Sequence, residues 1–524
     1  MKLSAVQKIV VATAITLSAA CIHAQNLSIG MSAEVTSMDP HFQLLSPNQN
    51  IADHIFDRLI ERNESLRMLP GLALSWRAID DLTWEFKLRP NVTFHDGSPF
   101  TAADVAYSIE RVPTIKDSPS TFAIYTKEIV NIQIVDPLTI RFKTAQPYPL
   151  LPNDMSIIHI VSKKAFTGAT AADFNSGKAV IGTGPFKFVR YARGDRIEMT
   201  RNDAYWGKKP QAQNVTFKFL TNDAARVAAL MSNDVQLIDA VPVADTKRLS
   251  TTSDYAVTQR TGTRVMYLYL DVSRDQTPFV TAKDGKPLAV NPLKDLRVRQ
   301  ALSKAIDRET IRTRVMDGAS RPTGQFMIAG LPGYSEAIKV EAVDVTGAKK
   351  LLADAGYPDG FNLTLHGTNN RYIQDGQILQ TLAGMLSRVG ITVKVEAQPA
   401  AVFFGRQNKS EYSVSMSGWS PDTFEGSSPL RSFIATRNKD KGLGTFNAGN
   451  YSNPKVDQLL ESALSTINDA ERDKLLQQAT LAAVSDVAVI PLHHQVNLWA
   501  TRKGVQYNGR SDERTYAFEV AIQP

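Results

Sequence analysis

The sequence predicts an α/β protein of two lobes accompanied by a smaller α+β unit, on three observations. At 524 residues the chain exceeds what one core holds, since domains run to roughly 150 residues each. Strand-like and helix-like segments alternate in two separate stretches, which is the pattern of α/β lobes. Residues 57–180 instead group paired strands with a capped helix, the composition of a small α+β unit. Hydrophobic residues at 43% and charged residues at 21% fit a folded chain, and the 30 Gly and 26 Pro show no period, which excludes collagen-like and low-complexity readings.

The elements follow in order. Asn26–Met31 alternates as a short strand, and a helix is expected around Ile51–Ile60. Residues 82–89 alternate at period two and stop at Pro90, a half-buried strand. Thr101-Ala102-Ala103-Asp104 is a capping box opening a helix to about Val112, where Pro113 ends it. Ile129–Val135 and Leu138–Thr144 read as strands joined at Asp136-Pro137. From about residue 181 come strand Asn214–Leu220, helix Asp223–Met231, strand Gln236–Asp239 and the Tyr-rich strand Arg264–Asp271. Helices Leu293–Ile306, Arg308–Val315 and Val345–Ala355 precede a β-α-β unit of Asn362–His366, Gln374–Arg388 and Ile391–Glu396. Strand Tyr412–Ser417, helices from Lys455 and Ala470, and strand Val487–Leu492 complete the expectation.

The first 24 residues read as an export signal: Lys2 and Lys8 lead an apolar run from Ile9 to Ala20, and cleavage is expected after Ala24. A lipoprotein reading would acylate Cys21, but Ser18 stands where such motifs usually carry Leu. Losing Lys2 and Lys8, and no acid, lowers the formal charge from +7 to +5 and removes the only cysteine. No disulfide or thiolate chemistry is then possible. No Lys/Arg-rich run of five to eight residues points to nucleic acid. Beyond the leader, no stretch nears the roughly 18–20 apolar residues that span a bilayer.

Catalytic motifs are missing. There is no phosphate loop, no H-E-x-x-H and no G-x-S-x-G. Gly182-Thr183-Gly184 runs into Pro185, which has no N–H for a pyrophosphate. His54, near Asp53 and Asp57, is read as a solvated face or local ion pair rather than part of a metal site. His493-His494 are adjacent in a strand and point to opposite faces, so they cannot chelate one ion together.

Three segments carry a resemblance. The first is Leu69-Pro70-Gly71-Leu72-Ala73, with Ser75-Trp76 and Thr83–Val105; the second is Gly182-Thr183-Gly184-Pro185-Phe186, with Arg201-Asn202 and Tyr205-Trp206. The third is Asp295–Leu302, leading to Ala305-Ile306-Asp307-Arg308; Tyr451–Asp457 and Arg472 follow the same pattern later. Together they resemble the extracellular solute-binding proteins of family 5, which feed dipeptide, oligopeptide and nickel ABC importers. The resemblance implies a large two-lobe periplasmic-binding-protein clamshell of type II with an extra α+β subdomain in lobe I. Lobe I would be 25–56, 181–269 and 492–524, with the insertion at 57–180, and lobe II would be 270–491. The expected crossings lie near Leu270-Asp271-Val272 and Pro491-Leu492-His493. Read as physics alone, Phe94–Pro99 and Gly184-Pro185 are turn chemistry, scaffold rather than ligand contacts.

The same resemblance implies a monomeric periplasmic component of an ABC importer that carries a small peptide, or a related small polar ligand, to permease subunits in the inner membrane. No cofactor, metal or catalytic residue is implied. In relatives that bind peptides, a Trp followed three residues later by Asp frames the ligand's α-ammonium, and here these are Trp419 and Asp422. A carboxylate beside an aromatic wall suits that ion. An Arg in a loop ahead of a lobe II helix holds the peptide carboxylate in such relatives, and Arg371 occupies the corresponding loop. The competing structural readings are a core Trp with a turn-forming Pro-Asp, and a surface-loop arginine. Thr423–Pro429 departs from the acidic segment usual there, leaving Glu425 and Arg431 able to read another charged group. That departure keeps a second cargo class open: a glutathione-like peptide, an opine, an oligosaccharide or a chelated metal. An exported hydrolase is the third reading.

Overall fold

In the computed structural model the described residues are 26–523 apart from 117, 119 and 120. The segment expected to be an export signal, with Cys21, lies outside them. One twelve-stranded sheet runs through both lobes, and a separate four-stranded sheet forms the inserted unit. The large sheet is held together by two long antiparallel strands, Tyr255–Leu270 and Val489–Arg502. At one end of this ribbon Leu237-Ile238 pairs with Val489–Arg502, and Asn26–Met31 and Asn214–Phe219 extend lobe I. At the other end Val265–Leu270 pairs with Val414–Trp419, which lies parallel to Asn362–Thr368 in lobe II.

The ribbon changes partners at residues 262–264, where its register shifts between Thr261 and Val265. This point lies ahead of the Leu270-Asp271-Val272 crossing expected from sequence, because Leu270 is still paired with Val414 inside lobe II. Gly262 sits at the shift, and a Cβ there would stand 2.7 Å from the Asn497 side chain. On the partner strand, His493–Gln495 pairs antiparallel with Ser320–Pro322.

Lobe II buries both faces of its strands. Met266, Leu268 and Leu270 face one apolar core, while Val265, Tyr267 and Tyr269 face another beneath helices Pro454–Ser465 and Asp469–Ser485. Lobe I packs Ile29, Phe217 and Trp499 into its own core. The inserted sheet, ordered Ala73–Asp80, Thr83–Leu88, Thr139–Thr144, Ile129–Asp136, covers Phe86, Phe142 and Ile109 with helix Ala102–Arg111. Thr101 and Asp104 form the expected capping box.

The sequence motifs serve the scaffold. Gly182 and Gly184 press against the end of helix Ser46–Ile55; a Cβ would stand 1.9 Å and 2.7 Å from the Ile55 carbonyl oxygen. Thr183 and Trp206 donate to one oxygen of Asp57 at 2.8 Å, and Tyr205 to the other at 3.1 Å. Burial, with help from Glu61, still pushes Asp57 up to about 6. His95 bonds the Gly184 carbonyl at 3.0 Å, tying the Phe94–Pro99 turn to the same place. Arg297 pairs with Asp295 and Arg299 with Asp486, whereas Arg308 is buried and donates to the Pro491 carbonyl at 2.8 Å.

His54 is a correction. It is fully buried rather than on a solvated face, with Nδ1–H donating to Asn50 O at 2.7 Å and Nε2 accepting the Ala517 N–H at 2.9 Å. Burial lowers it to about 4, so it stays neutral and knits helix Ser46–Ile55 to the C-terminal segment. No helix among the described residues is long and apolar enough to cross a membrane.

Candidate functional site between the lobes

A cavity opens where the C-terminal segment, the inserted unit and the loop after Trp419 meet. The space bounded there, open solvent included, is about 580 Å³. Arg58 and Arg62 come from the start of the insertion, Asp422 and Phe424 from lobe II, and Arg510 and Arg514 from the C-terminal segment. Two other hollows, at Lys283–Val393 and Arg274–Pro292, lie on lobe II away from this junction and have no carboxylate in their lining.

Most charges at the cavity are already matched. Asp53 behind the wall takes Arg58 at 2.9 Å, Arg514 at 2.8 Å and His159 at 2.7 Å, and also accepts the Tyr516 hydroxyl. Burial alone would raise Asp53, but Arg514 and Arg58 hold it well below the usual carboxylate range. Arg510 pairs with Asp512 at 3.0 Å and Glu519 at 2.5 Å, and Glu513 pairs with Arg264 at 3.4 Å.

Of the residues expected from sequence, Asp422 lines this cavity. It is exposed there and has no cationic side chain within 4.0 Å among the described residues. Its contact is the Tyr125 hydroxyl of the inserted unit, donating at 3.3 Å. Loss of bulk water between the lobes raises the carboxyl above its ordinary value, against Tyr125 and the fields of Arg514, Arg264 and Arg431. Trp419 ends strand Val414–Trp419, packs against Phe446 and Phe433 at 5.3 and 5.8 Å, and donates its indole N–H to Ser428 Oγ at 3.2 Å. It is half-buried beneath the loop that carries Asp422.

Arg371 is not among the residues lining the cavity. It is exposed, with its guanidinium 5.3 Å from the Tyr372 ring centre. Tyr372 in turn accepts the Gly418 N–H at 3.0 Å, so the Arg371 loop and the Trp419 strand touch. Glu425 is buried against Arg472 at 3.4 Å and is thereby committed. Arg431 makes no ion pair among the described residues and faces the carboxyls of Asp154 and Asp422.

Sequence reasoning missed Arg62, Tyr125, Arg510 and Arg514. They stand on three segments far apart in the chain, each without a motif of its own. The one local signal was charge density in Arg510–Arg514, where five residues carry four charges.

Comparison with known proteins supplies the rest. Residues 67–441 match the bacterial extracellular solute-binding proteins, family 5 (middle region). The chain is 28% identical over 468 residues to the glutathione-binding protein GsiB of Pectobacterium atrosepticum, covering 87% of this chain and 86% of that one. It is 27% identical over 514 residues to the probable D,D-dipeptide-binding periplasmic protein DdpA of Escherichia coli, covering 95% of both. Among solved structures it is similar to HbpA2 from Haemophilus parasuis, with a TM-score of 0.82 at 21% identity, covering 95% of this chain and 100% of that one. That likeness supports the two-lobe fold.

Proposed function

This chain belongs to the bacterial extracellular solute-binding proteins of family 5, and from that premise we propose that it captures a small peptide between its lobes and presents it to an ABC importer. It works in the periplasm as a monomer after loss of residues 1–24, handing cargo to permease subunits in the inner membrane and catalysing no reaction. The relatives named for glutathione and for D,D-dipeptides favour peptide-like cargo. The carrying observation is Asp422: a carboxylate that opens on the interlobe cavity and has no cationic contact among the described residues. An α-ammonium group supplies the missing charge, and the Trp419 indole stiffens the wall beside it. Arg371 takes the ligand's terminal carboxylate from the neighbouring loop.

Removing one partner of a buried, hydrogen-bonded charge pair costs about 2–5 kcal/mol. At about 1.4 kcal/mol per tenfold, Asp422→Ala weakens peptide binding at least about 30-fold. Titration calorimetry with the ligand identified by mass spectrometry of gently purified protein checks this. Unchanged affinity for that ligand overturns the assignment of Asp422. A thermal-shift panel of dipeptides, longer peptides, glutathione and sugars separates the cargo classes, since whatever binds the folded state raises its melting temperature.

A further inference from the structure

Among the charged side chains that line the cavity, two lack an oppositely charged partner among the described residues. Asp422 from lobe II is one. Arg62 from the inserted unit is the other. Its Nε–H donates to Ser156 Oγ at 3.0 Å, and its terminal nitrogens donate to the carbonyls of Leu66 at 2.7 Å and Thr423 at 3.2 Å. All three acceptors are neutral. A guanidinium has five N–H donors, so two remain without an acceptor among the described residues. Its face lies 5.1 Å from the centre of the Phe424 ring.

Only the Thr423 bond crosses to lobe II, and none of the three requires a charge. A neutral donor would make the same bonds without the cost of taking an ion out of water. Burial, added to repulsion from Arg58 and Arg514, lowers Arg62 to about 9 against the fields of Asp512 and Glu425, neither of which it contacts. Arg58, Arg510 and Arg514 beside it are all repaid by carboxylates.

We infer that Arg62 receives an anionic group of the ligand additional to the terminal carboxylate, so that the preferred guest is an acidic peptide-like molecule bearing one ammonium and two anionic groups. The inference rests on the peptide reading above and deepens it. It also orients the guest, with its amino end toward the Asp422 loop of lobe II and its extra anion toward the inserted unit. The planar fork of Arg62 suits a carboxylate held by two parallel bonds.

The test uses matched ligands that differ in one charge: tripeptides with Glu or Gln at each position in turn, and glutathione with its glycine amide. Calorimetry on the mature protein is expected to show at least a tenfold preference for the acidic member of one pair. Arg62→Gln weakens both members through the lost Thr423 bond but brings their ratio to about one, while Arg62→Lys keeps most of the preference. Asp422→Asn weakens both members and leaves the ratio alone. An acidic preference that survives Arg62→Gln, or that is absent in the unaltered protein, overturns the inference and leaves the peptide reading intact. The peptide reading itself falls if no member of the panel binds, or if Asp422→Asn leaves the preference for free over N-acetylated amino termini unchanged.

Discussion

Asp154 shows what removing water does to a carboxyl at this junction. It is buried in the inserted unit and accepts the Tyr148 hydroxyl at 2.7 Å. Burial pushes it up to about 8; Tyr148 and Arg431 oppose the rise, and Glu425 and Glu128 add to it. Near neutrality it therefore keeps its proton. A carboxyl raised on folding binds an extra proton in the folded state between its unfolded value near 4 and about 8. Its stabilising share is complete below that window and is lost as pH rises through about 8. Asp154→Asn keeps the acceptor oxygen and removes the titration. Its melting temperature relative to the unaltered protein is expected to climb between pH 6 and pH 9, and a constant difference across that range disproves the assignment. Single residues also mark the limit of what sequence carries. Trp419 and Asp422 could be named from sequence because they stand three residues apart in one short segment, and of the two Asp422 lines the cavity. Arg62 and Tyr125 were not, because the property that singles them out, a charge or hydroxyl facing another lobe, arises only when distant segments meet.

The elements divide along the same line. Helix Asp223–Met231 and strand Asn26–Met31 were read at their observed bounds, because each shows one clear period over its whole length. The two long ribbon strands were read only in part. Val265–Leu270 is buried on both faces and stands out as an apolar run, whereas Tyr255–Arg264 carries Thr, Gln and Arg and is mostly half-buried, so its alternation is masked. The helix expected over Arg308–Val315 begins as one α-helical turn, Arg308–Thr310, and continues as a wider π-type turn over Ile311–Val315, a local widening that side-chain periodicity does not announce. Glycines test the elements individually. Gly384 lies inside helix Asp375–Ser387 with nothing within 4 Å of the place a methyl group would occupy, so Gly384→Ala should stabilise by about 0.5–1 kcal/mol. Gly182→Ala forces a carbon to within 1.9 Å of the Ile55 carbonyl oxygen and should destabilise by at least about 1–3 kcal/mol. Denaturant midpoints moving in opposite directions bear this out, and equal shifts refute it.

At the scale of the whole molecule, a two-strand ribbon joins lobes that meet again across the cavity. The facing contacts include Arg62 and Asn153 on the Thr423 carbonyl, Tyr125 on Asp422, Arg472 on the Pro149 carbonyl, and the Thr263 and Ser420 hydroxyls at 2.9 Å. Apolar packing accompanies them: Leu66 of the inserted unit is set against Met327, Leu331 and Phe424 of lobe II, and Ile467 of lobe II packs on the inserted core. Leu66 and Phe424 both hold left-handed backbone angles, at φ 67° and 54°, an arrangement that costs each of them energy and that packing across the boundary offsets. These partners of Leu66 all belong to lobe II, so its burial belongs to closure and not to the folding of either lobe. Burying a leucine is worth about 1.5–3 kcal/mol, and whatever favours the closed state adds to apparent affinity. Leu66→Asn tolerates the left-handed angle and deletes the apolar contact. It should leave the melting temperature of the ligand-free protein unchanged while weakening ligand binding about ten- to a hundredfold. Small-angle scattering should show the radius of gyration falling on ligand addition in the unaltered protein, with more ligand needed for the same fall in the variant. A melting temperature that drops without ligand would place Leu66 in the folding of the inserted unit instead, and an unchanged radius on saturation would mean that the ribbon does not bend.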